Sequence, residues 1–172
     1  DLFGSFAPQR IDRDYKVGVD AIRVTVPLGQ SSEVQLIGAV LGPSLREDGT
    51  AAAKTRFHLG RFDLGFMGGK FHRDTVAGTY FVADLGGTGY RGEVTWTGSG
   101  DTRDIQIGRA EFWRATLGLD RQLTSHLAAT VEFFFNGFGS GDPSGYSLLL
   151  ESDRIRRGEC PALGRYYAGT SV

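Results

Sequence analysis

The feature that most constrains this chain is a two-residue rhythm. Apolar and polar side chains alternate through segments of about ten residues. Successive side chains on a strand point to opposite faces, so each such segment has one apolar and one polar side. Ala21 to Leu28 sets Ile22, Val24, Val26 and Leu28 against Arg23 and Thr25. Tyr90 to Thr97 sets Tyr90, Val94 and Trp96 against Arg91, Glu93, Thr95 and Thr97. Glu111 to Asp120 sets Trp113, Ala115, Leu117 and Leu119 against Arg114, Thr116 and Asp120. Leu127 to Asn136 sets Leu127, Ala129, Val131, Phe133 and Phe135 against Thr130, Glu132 and Asn136.

The joins carry as much as the strands. Gly29 to Ser32, Gly60 to Asp63, Gly86-Gly87 and Arg121 to His126 are short. Gly42 to Lys54, Gly98 to Ala110 and Gly137 to Gly164 are long, and His72 to Gly78 is intermediate. In an up-and-down meander every second join lies on the same side, so the short joins are expected on one side and the longer ones on the other. Transmembrane β-barrels show this asymmetry, with tight periplasmic turns and long external loops.

The spacing predicts about nine strands, at 21–28, 33–41, 55–60, 63–71, 79–85, 89–97, 111–120, 127–136 and 165–172. In the second, Val34, Leu36 and Val40 compete with Ile37, Ala39 and Leu41, so its faces are unassigned. In the fourth, Leu64 and Phe66 share parity with Lys70, which points to a bulge near Gly68-Gly69. The fold class expected is all-β, an antiparallel up-and-down meander forming a transmembrane β-barrel. An odd strand count, an opening at Asp1 without Met and a close at Val172 in mid-alternation lead us to expect one barrel domain over residues 1–172, truncated at both ends and therefore incomplete.

Composition bounds the partners. A net charge of −1 offers no electrostatic case for nucleic acid. No apolar run of about eighteen residues marks a transmembrane helix. A barrel's polar lumen positions dilute its hydropathy, so that observation is compatible with a membrane location. Cys160 is the single cysteine, in the loop-like stretch Arg157 to Pro161, and reads as a bystander thiol.

No motif demands catalysis, and an enzyme is not expected. Gly87 to Gly92 matches GxGxxG, but Glu93 to Thr97 after it reads as a strand where a dinucleotide site needs a helix. No cofactor is expected. His58, His72 and His126 are scattered without metal spacing. Asp101, Asp104, Asp142 and Asp153 lack calcium-loop spacing and read as solvated loop charge.

The positions of interest are the polar members of the strands: Arg23, Arg56, His58, Arg91, Glu93, Arg114, Glu132 and Arg165. On a soluble sandwich they would face water. On a membrane barrel they line the pore, and the aromatics Trp96, Trp113, Tyr90, Phe112 and Tyr166 near strand ends form interfacial girdles. Arginine predominates among the eight, so a mild preference for anionic solutes is expected.

Three stretches carry a resemblance: Gly18 to Gly29, Asp84 to Val94 and Gly164 to Gly169. In style they are similar to the porin-like outer-membrane barrels of Gram-negative bacteria, most of them uncharacterised. The resemblance spans nearly the whole chain. It implies an outer-membrane location with the lipid bilayer as partner, and a pore for small polar solutes. It transfers no catalytic residue. The expectation is a passive channel or porin. The rivals are a non-conducting outer-membrane barrel whose long loops, above all 137–164, bind a partner, and a soluble lipocalin-like or sandwich protein holding an apolar ligand.

Overall fold

A computed structural model describes residues 20–40, 49–156, 160 and 162–171. Nine antiparallel strands follow one another in a single sheet in chain order. They are β1 (Ala21–Leu28), β2 (Ser32–Val40), β3 (Gly49–Leu59), β4 (Phe62–Phe71), β5 (Asp74–Leu85), β6 (Thr88–Gly98), β7 (Glu111–Thr124), β8 (Leu127–Asn136) and β9 (Tyr166–Ser171). The sheet is open: β1 and β9 are its edges, and no pairing joins them. Pro27 lies on the edge strand β1, where its missing N–H is tolerated.

The all-β meander expected from the rhythm is therefore present, and the register decides what the rhythm left open. Val24 pairs with Leu36, Leu36 with Ala53, Ala53 with Gly68 and Gly68 with Ala77. Across the other half, Val94 pairs with Ala115 and Ala115 with Phe135, which pairs with Tyr166. Directly paired residues share a face, so the apolar sides of all nine strands merge into one surface. On β2 this assigns Val34, Leu36 and Val40 to the apolar face and Ile37 to the polar one.

Several expectations are corrected. The long join before the third strand is shorter than expected, because β3 starts at Gly49 and absorbs Ala51 to Lys54. Alanines favour helices in isolation, but here Ala52 packs against Gly69 of β4 so closely that a Cβ on Gly69 would meet it at 2.6 Å. The ladder through Gly68 and Gly69 runs without a shift, so the expected bulge is absent there. A register shift lies instead between Gln122 and Thr124 of β7.

The join His72 to Gly78 contracts to the two residues between β4 and β5, with His72 at a left-handed φ of 55°. A tight turn thus sits on the side of the long joins, and the expected segregation of short from long is broken at that point. β5 extends back to Asp74, where the ladder pairs Asp74 with Phe71 and Thr75 with Gly98, and the Asp74 side chain meets Arg154 far along the chain. Residues 41–48, and Leu41 and Val172 of the expected strands, lie outside the described residues.

Two joins fold into a cap. The β6–β7 join contains α1 (Thr102–Gln106), and the β8–β9 join contains α2 (Tyr146–Leu149) and α3 (Asp153–Arg156). Asp101 caps α1, its Oδ1 accepting from the Arg103 N–H at 2.9 Å. Phe112, Phe138, Leu149 and Cys160 form a buried cluster, with Ile107, Tyr146, Ile155 and Leu163 packed on it. The buried apolar cluster of this protein therefore lies at one end of the sheet, under the cap.

Candidate functional site: the polar face and its cap

The sheet's polar face gathers seven of the eight residues singled out in the sequence: Arg23, Arg56, His58, Arg91, Glu93, Arg114 and Glu132 share it by register. Arg165 lies just outside β9 and turns to the cap, donating through Nε and Nη2 to the Gly139 carbonyl at 3.3 Å.

The face is not a simple field of positive charge. Arg91 of β6 crosses over Gly118 of β7, where a Cβ would meet its Nε at 2.6 Å. It reaches Asp120 at 3.1 Å and Glu132 of β8 at 2.9 Å. Arg56 faces Glu33 at 3.6 Å, and His58 Nδ1 sits 2.7 Å from Asp63 Oδ1. These pairs are about half exposed, so each is worth at most about 1 kcal/mol. Their effect is to cancel charge locally. Tyr80 lies flat over Gly65, with Lys54 Nζ 5.6 Å from its ring centroid.

At the capped end the character changes. Arg154 of α3 is buried, and its Nη2 donates to Asp74 Oδ2 at 2.6 Å and to Ser99 Oγ at 3.3 Å. Its Nε donates to Asp104 Oδ2 at 3.0 Å. Asp104 is fully buried and also accepts from the Ser152 hydroxyl at 2.6 Å and the Ser99 hydroxyl at 2.8 Å. The guanidinium lies over the rings of Phe112 and Phe138, 5.4 and 5.9 Å from their centroids. Burial works against the cation, but Asp74 and then Asp104 outweigh it and hold its pKa above the usual arginine value. Asn136, also fully buried, donates to the carbonyls of Ala162 at 2.8 Å and Gly164 at 3.2 Å, tying the return of the cap to β8.

The reading of the acidic loop residues as solvated charge is thereby corrected for Asp104 and Asp101, which are buried and occupied; Asp142 is exposed. Cys160 lies outside the strands and helices and is a member of the buried cluster, and burial pushes its thiol pKa up. Phe112, expected among girdle aromatics, faces the cap. The Gly87 to Gly92 motif is a turn followed by β6: Gly86 and Gly87 have φ of 64° and 75°, and Gly92 takes the Phe81 ring against its backbone.

Sequence reasoning missed Asp74, Ser152 and Arg154, and read Asp104 as solvated. The one local signal was Asp101 followed three residues on by Asp104, a capping pattern for a helix start. Among the described residues, no group of three or more His, Cys, Asp or Glu side chains is placed to hold a metal. No helix among them is long and apolar enough to cross a membrane, which says nothing of a β-barrel. Comparison with protein-family models, curated proteins and solved structures returns no match.

Proposed function

We propose that this sheet is part of a transmembrane β-barrel of a Gram-negative outer membrane, acting as a passive channel for small polar solutes, with the cap narrowing its mouth. One observation carries the reading: the apolar face that the register assembles is continuous over nine strands, and among the described residues none covers it. Ile22, Trp113 and Leu117 on it are 75%, 56% and 56% exposed. A water-facing surface of that extent is costly, and lipid removes the cost.

The dimensions support it. Along β7 the apolar face reads Glu111, Trp113, Ala115, Leu117, Leu119, Arg121, so a charge flanks the apolar run from Trp113 to Leu119 on each side. The ten steps between them measure about 34 Å at about 3.4 Å each. At a tilt of about 35–45° that becomes about 24–28 Å, against an outer-membrane apolar band of about 25 Å. Trp96 and Trp113 pair directly at the capped end, beside the level where Lys70 closes the face on β4. In this reading the charged pairs of the other face line a wet interior. Edges cannot stand open in hydrocarbon, so the barrel includes further strands pairing with β1 and β9.

Brominated lipids test the orientation. Trp96 and Trp113 are the chain's two tryptophans, and both belong to the apolar face. Strong quenching of their fluorescence in brominated bilayers, together with discrete conductance of the full-length protein in a planar bilayer, is the expected result. A fluorescent, unquenched protein refutes the membrane reading. Quenching without conductance favours the second reading, a loop-mediated partner, for which Ile105, Leu148 and Leu150 stand exposed on the cap.

A further inference from the structure

Among the described residues, two buried side-chain polar atoms have no hydrogen-bond partner in the protein: Arg114 Nε and Thr97 Oγ1. They are neighbours. Thr95 pairs with Arg114 and Thr97 with Phe112 across β6 and β7, which sets Thr97 diagonal to Arg114 on the polar face. Thr97 is 1% exposed. Both lie where the cap covers the sheet, and the ring of Phe112 backs the Arg114 guanidinium at 5.7 Å from its centroid.

A buried Nε–H without an acceptor is costly, and so is a guanidinium without a counter-charge. Arg56 and Arg91 of this face have carboxylates within 4 Å. Arg114 has none. Asp74 is engaged with Arg154, and Glu93, diagonal to Arg114 on the same face, acts on it across the strands without forming an ion pair within 4 Å. Cys160 contributes no charge, because its buried thiol stays protonated. What the two atoms lack is a hydrogen-bond partner, and an oxyanion would supply one to both.

We propose that Arg114 and Thr97 form a binding site for a small oxyanion, a phosphate or carboxylate group, beneath the cap. The guanidinium supplies the charge and an Nε–H donor, the Thr97 hydroxyl a second donor, and the cap excludes water around them. If the face lines a channel, this is the place where a passing anion pauses. The site itself is independent of conduction.

The test is titration calorimetry of the full-length protein folded in detergent, with inorganic phosphate and acetate as separate probes and choline chloride as the salt control. Saturable binding of phosphate, acetate or both supports the site, and the comparison identifies the group it takes. Arg114→Gln should weaken binding about tenfold or more, and Thr97→Val about three- to tenfold, with Thr97→Ser restoring most of it. Arg121→Gln, which removes a cation from the opposite face, should change nothing. Circular dichroism confirms folding of each variant, and Thr97→Val is near-isosteric, so a collapse of Arg114→Gln leaves the question decidable. Absence of saturable binding by both probes overturns the site, as does undiminished binding in Arg114→Gln or Thr97→Val. Conductance is measured separately: binding without conductance keeps the site and removes the channel.

Discussion

Arg154 and Asp104 stand fifty positions apart in the chain and meet at 3.0 Å, Nε to Oδ2, with the carboxylate wholly shielded from solvent. This pair, with Asp74 as its third member, fastens the cap to the sheet. A helix of four residues, α3, has no stability of its own, so its position comes from the contacts of Arg154.

Removing one partner of a buried ion pair leaves the other uncompensated. Arg154→Ala should therefore destabilise the protein by about 3–5 kcal/mol in denaturant titration and open the 137–164 segment to limited proteolysis. Asp104→Ala alone should cost a similar amount, and the double variant less than the sum. Strict additivity would show that the pair is not coupled.

Cys160 offers a pH test. Burial raises its pKa above the ordinary thiol value of 9.0. A folded-state pKa raised in an acid means stability is complete below the unfolded value and declines as pH climbs through it. Thiol modification at neutral pH should be slow in the native protein and rapid in Arg154→Ala. Stability should fall above about pH 9 in the native protein and less steeply in Cys160→Ala.

The two faces of β8 should respond oppositely. Val131 belongs to the apolar face and is half exposed, while Glu132 points the other way, to Arg91. Val131→Arg near the bilayer midplane should cost about 2–4 kcal/mol in a folding titration in lipid. Glu132→Gln, at an exposed pair, should cost less than about 1 kcal/mol. Equal costs would contradict the lipid-facing assignment.

Gly65 tests the packing of the polar face. A Cβ there would run into the Tyr80 ring. Gly65→Ala should destabilise by about 1–3 kcal/mol, and the loss should be largely recovered when Tyr80→Ala is added. No recovery would place the cost in the backbone.

The alternation of side chains determined by itself that this chain makes antiparallel strands in sequence, and which residues of each well-patterned strand share a face. Period two is a local property, written in each segment without reference to any other. Hence 21–28 and 127–136 emerge at the expected bounds, and Arg91, Glu93, Arg114 and Glu132 come out on one face. Three things depended on the tertiary structure. The alanines of β3 became strand only because β4 offers glycines to pack against. Asp74 joined β5 through the ladder with Phe71 of β4, and its side chain meets Arg154 eighty positions later. Arg56, His58 and Arg91 meet carboxylates that arrive from neighbouring strands, through a register that a single strand's pattern does not encode. Arg114 looks like the other arginines in the chain; what sets it apart is the cap, folded over it by contacts between residues far apart in sequence.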